Sequence, residues 1–90
     1  MINLTLFLKA LGNVLSPLRG MFVDRWFTEP TKFPAIKKVT IEVWCIDGDN
    51  RTLLSKVSAT ERIITEEEKQ EVHNKLIIQT IENVLKHYGL

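Results

Sequence analysis

Cys45, His73 and His87 are the side chains best suited to nucleophilic or metal chemistry. A thiol attacks or ligates only as the thiolate, which needs a nearby base or cation and access to solvent. A structural zinc site draws four such ligands, usually in closely spaced pairs. This chain has one cysteine and two histidines, scattered along it. Strand alternation turns Cys45 inward beside Val43, so a core thiol is expected. Asp47-Gly48-Asp49-Asn50 looks like the opening of a calcium loop. The sixth loop position is Thr52, not Gly, and the twelfth is Ser58, not a bidentate acid. A turn is the better reading. Glu66, Glu67 and Glu68 read as helix-capping charge and not as an acid–base pair. No glycine-rich phosphate loop and no nucleophile elbow occurs. The expectation is a protein that is not an enzyme, with no catalytic, cofactor-binding or metal-ligating residue to assign.

One cluster mixes charge with flat rings: Arg25, Trp26, Phe27, Lys32, Phe33, Lys37 and Lys38. Single-strand binders stack bases on aromatics and follow phosphates with cations. The net charge of only +1 argues against phosphate-driven binding as the main role.

The elements that carry these residues follow from periodicity and end signals. Thr65 to Tyr88 contains no Gly or Pro. Thr65 with Glu68 forms a capping box, Lys86 and His87 suit the negative helix end, and Gly89 stops it. Ile77, Ile81, Val84 and Tyr88 form one stripe. Val72, Leu76, Ile78 and Leu85 widen it to about twice the roughly 100° that one sheet covers. A second layer is required, either the N-terminal helix or another chain.

Leu4, Leu8, Leu11, Leu15, Leu18, Phe22 and Trp26 recur at spacings of three and four, a helical pattern. Pro17 forbids one continuous helix. A helix over 3–14 and a second helical piece over 17–27 are expected. Residues 28–36 hold Pro30 and Pro34 and read as a turn, with Phe33 anchoring it to the core. Residues 37–46 form a strand, 47–50 a turn, and 51–59 the returning strand, with Leu53, Val57 and Ala59 on one face.

The expected fold is therefore α+β: an N-terminal helix kinked or broken near Pro17, a β-hairpin, and a long C-terminal helix packed on the sheet. Residues 1–90 make a single small domain. Within it, 1–27 is an apolar helical segment able to serve as a docking arm, and 37–90 is hairpin plus helix. The element order and size resemble those of small phage morphogenesis and host-interference proteins, in architecture alone and with no motif matched. One cysteine fits a reducing compartment. No apolar run is long enough to span a bilayer, and no signal peptide is read at the N-terminus. A cytoplasmic location is expected.

These features point to a protein–protein interaction module: an assembly subunit, adaptor or inhibitor. Its partner would be another protein or a second copy of itself, the homodimer being favoured by open sheet edges. Aromatic and large apolar anchors dominate such contacts. Phe7, Leu11, Phe22, Trp26, Phe27 and Trp44 are the expected partner-binding residues. Two other readings stand behind this one. One is a peripheral membrane protein held by amphipathic residues 1–27. The other is a weak single-stranded nucleic-acid binder.

Overall fold

Five elements run in the order helix, three strands, helix in the computed structural model, which describes residues 3–14 and 20–90. The first helix, α1, covers Leu4–Val14. The Asn3 side chain starts it by accepting the Leu6 amide at 3.1 Å, the usual N-cap device. Leu4, Leu8 and Leu11 are its buried face. The expected break at Pro17 lies outside the described residues.

Residues 21–27 depart from expectation. They form no second helical piece but the first half of a strand, β1 (Met21–Pro30). This strand pairs antiparallel with β2 (Ile36–Asp47), which pairs in turn with β3 (Asn50–Arg62), giving the order β1-β2-β3. The hairpin is thus part of a three-stranded meander. Spacings of four in Leu18, Phe22 and Trp26 imitate a helix, yet Phe22 and Trp26 also share parity in a strand. Gly20, at φ 119°, adopts a backbone that cannot belong to a right-handed helix. From Met21 onward the backbone finds its hydrogen-bond partners on β2, which offers each residue a ladder bond and its side chain a packed face.

Gly48 and Asp49 make the two-residue loop between β2 and β3. Gly48 takes φ 61° and Asp49 does not share the positive sign, as in the type II′ turn that suits the twist of a hairpin. One further correction concerns faces. Val43 pairs with Ser55 while Trp44 pairs with Leu53, so Leu54 is an extra residue. This bulge sends Leu54 and Ser55 together into the core and leaves Leu53, expected on the face of Val57 and Ala59, on the other face and 41% exposed. The loop after β1 is also different. Thr31 closes it through its hydroxyl, which donates to the carbonyls of Phe33 and Ile36. Phe33 does not anchor it and stands 59% exposed.

The last helix, α2 (Glu66–His87), forms as its signals demand. Thr65 Oγ1 accepts the Glu68 amide at 3.1 Å, and Glu68 Oε1 accepts the Thr65 amide at 3.1 Å. Val72, Leu76, Ile77 and Val84 bury themselves with Val39, Ile41 and Val43 of β2 and with Leu54 and Val57 of β3. The leucines of α1 join the same core. The wide apolar arc of α2 is therefore sheltered by its own sheet and by α1, although Ile78 stays 46% exposed. Both helices lie on one face of the sheet. The shortest dimension is 18 Å, which fits two layers of the described residues with spacing of about 10 Å.

Candidate functional site

Alternation assigns every strand residue to a face. Phe22, Asp24 and Trp26 of β1 stand opposite Cys45, Val43 and Ile41, on the helix side. Val23, Arg25 and Phe27 stand opposite Trp44, Glu42 and Thr40, on the outer side. Arg51 and Leu53 pair with Ile46 and Trp44 and so share that outer face.

The six expected anchors divide accordingly. Leu11 is buried in the core, and Phe7 and Phe22 pack against it. Phe22 meets Tyr88 edge-on, ring centres 6.1 Å apart. Burial lifts the Tyr88 phenol above its ordinary pKa, and the neighbouring Cys45 adds to the rise. Trp26 also faces the helices but lies at their margin. Its indole N–H donates to Asp24 Oδ2 at 2.6 Å, and its ring meets His73 at 5.1 Å. Phe27 and Trp44 alone of the six share the outer face. Arg25 lies over the Phe27 ring, 5.0 Å from its centre. Trp44 donates its indole N–H to Glu42 Oε1 at 3.3 Å, and Glu42 in turn faces Lys56 at 4.0 Å.

Around Trp44 the outer face dips into a cleft of about 150 Å³ lined by Val23, Arg25, Trp44, Ile46 and Arg51. Its floor is apolar and half-buried, and Leu53 borders it. Two guanidiniums flank it, and among the described residues neither lies within ion-pairing distance of a carboxylate. Val23, Arg51 and Ile46 were not foreseen as site residues. For Val23 the signal was alternation in 21–27, hidden because both faces of β1 carry large apolar groups; Ile46 and Arg51 join it through the pairing of β2 with β3.

Cys45 lies half-buried in the sheet. Among the described residues no three His, Cys, Asp or Glu side chains gather as a metal site. No described helix is long and apolar enough to cross a membrane. Compared with known families, characterised proteins and solved structures, the chain matches none.

Proposed function

We propose that this protein is a non-enzymatic protein-binding module, acting as an assembly subunit, adaptor or inhibitor through the outer face of its sheet. One observation carries the reading. Both helices pack on one side, while the other presents Val23, Phe27, Trp44, Ile46 and Leu53 with no described helix over them. An antiparallel sheet that faces only water on one side shows polar residues there. Here apolar residues cluster at the turn end of that side, half-buried except for the exposed Leu53, and a contiguous apolar patch open to solvent is typical of an interaction surface. The indole of Trp44, held by Glu42, is a pre-oriented anchor of the type that dominates binding energy.

On this reading the docking contact lies on the sheet, while in the apolar segment 1–27 Leu6 stays 62% exposed. Leu4, Leu8 and Leu11 are occupied by the core and have no surface left to offer.

Site-specific photo-cross-linking tests this. p-Benzoylphenylalanine replaces Leu53 on the outer face or Gln79 on the exposed side of α2. Irradiation in extract of the source cell should yield a discrete protein adduct from position 53, weakened by Trp44→Ala, and none from position 79. Identical patterns at both positions would remove the outer face as the contact.

A further inference from the structure

The geometry points to a specific kind of partner: an acidic, extended peptide segment that sets one aromatic or branched apolar side chain into the Trp44 cleft, with carboxylates on both sides of it. This rests on the protein-binding reading and names what that surface takes.

The volume sets the anchor. A cavity of about 150 Å³ holds a benzene-sized group, and the cleft here is of that size. Its floor of Val23, Trp44 and Ile46 offers apolar contact and an aromatic wall. One side chain fills it.

The flanks set the charge. Arg25 and Arg51 line the same cleft from opposite edge strands. The carboxylate nearest in the register, Glu42 opposite Arg25, is turned to the Trp44 indole and to Lys56. Both guanidiniums thus keep their planar donor forks for a ligand, and a guanidinium fork matches a carboxylate.

The sheet sets the spacing. Arg25 and Arg51 are separated by two strand intervals across the sheet and four residues along β2, since they pair with Glu42 and Ile46. At about 4.8 Å per strand and about 3.3 Å per residue, their Cα atoms are roughly 16 Å apart on a diagonal. The Arg25 guanidinium stands over the Phe27 ring, on the side of β1 away from Arg51, so the two carboxylates lie on opposite sides of the anchor. An extended peptide crossing the diagonal would carry them a few residues apart, with the anchor between.

The same face also bears Lys38 and Lys56, but Glu29 stands opposite Lys38 and Glu42 opposite Lys56, and the chain is near neutral. A nucleic-acid strand would meet those carboxylates as it followed the sheet, and it requires a continuous cationic track. A short acidic peptide needs only the two free guanidiniums.

Fluorescence anisotropy on the full chain tests the inference. The probe is a short fluorescein-labelled peptide with a single Phe flanked on both sides by Glu. Controls are the same peptide with Lys for Glu, the same peptide with Ala for Phe, and a labelled oligothymidylate. The acidic probe should bind, and the Lys and Ala versions should bind at least about tenfold more weakly. Arg25→Glu with Arg51→Glu should reverse the preference toward the Lys peptide, a result that mere loss of fold cannot produce. Trp44 fluorescence should change on binding. Equal binding of the Glu and Lys peptides, no binding of either, or preference for the oligonucleotide would overturn the inference. The protein-binding reading fails separately, when position 53 gives no distinctive cross-link.

Discussion

Trp26 and His73 form a contact whose protonation state should be measurable. Burial holds His73 below the ordinary imidazole value, the Lys69 charge pushes the same way, and Glu66 partly opposes. As pH falls, the unfolded chain therefore binds this proton before the folded one. Stability is complete above about pH 6.5, declines below it, and has lost this contribution once pH passes the lowered native value. The urea midpoint should fall between about pH 7 and pH 5, and His73→Gln should flatten that part of the profile. Glu68, whose pKa the capping amide of Thr65 lowers, loses its contribution only in the more acid carboxylate range, so the two are separable. Gly20 gives a second residue-level test. A Cβ there would sit 3.0 Å from both Cys45 Sγ and the Ile46 carbonyl oxygen, at φ +119°. Gly20→Ala should cost about 1–3 kcal/mol in denaturation, from backbone strain and crowding together. Gly48→Ala meets open space and should cost only about 1–2 kcal/mol for its left-handed backbone.

Elements differ in how openly their sequences declare them. Helix α2 carries cap, dipole charges, stripe and stop, all local signals, and every one is realised. Thr65→Ala should accordingly remove about 1 kcal/mol, read as a lower thermal midpoint with helix content retained. The β2–β3 turn was equally open, because Asp47-Gly48-Asp49-Asn50 allows little else. Strand β1 was not. Its register depends on β2, many residues away, and Phe22 and Trp26 satisfy helical and strand periods alike. The bulge at Leu54 was hidden for a related reason: Leu53-Leu54 gives two equivalent apolar residues, and only pairing decides which enters the core. Of the candidate site, Arg25, Phe27 and Trp44 were visible as a cation and two aromatics. Val23, Ile46 and Arg51 join them only after three strands fix a common face. Deleting Leu54 should restore regular pairing and take away a buried side chain. The expected result is a loss of about 2–4 kcal/mol with native-like far-UV dichroism.

At the scale of the molecule, the two faces of one sheet have opposite roles, and stability should tell them apart. A chain of 90 residues has about 5–13 kcal/mol of stability in total. Ile41 is fully buried at the centre of the helix-side core, so Ile41→Ala should cost about 2–5 kcal/mol. Phe7→Asp should cost at least as much, because it sets a carboxylate against that same core without a partner. Trp44 is one residue from Val43 in sequence but on the other side, half-buried. Its truncation leaves the Ile41–Val84 core untouched and should change stability by no more than about 1–2 kcal/mol. Denaturation of the three variants beside the parent chain gives the comparison. A small shift for Trp44→Ala with large ones for Ile41→Ala and Phe7→Asp means that the outer indole is surplus to folding. A binding role then accounts for a large aromatic on a solvent face. If Trp44→Ala unfolds the chain as readily as Ile41→Ala does, the outer face belongs to the fold itself, and the contact surface must be sought among the exposed apolar residues of α1 and α2.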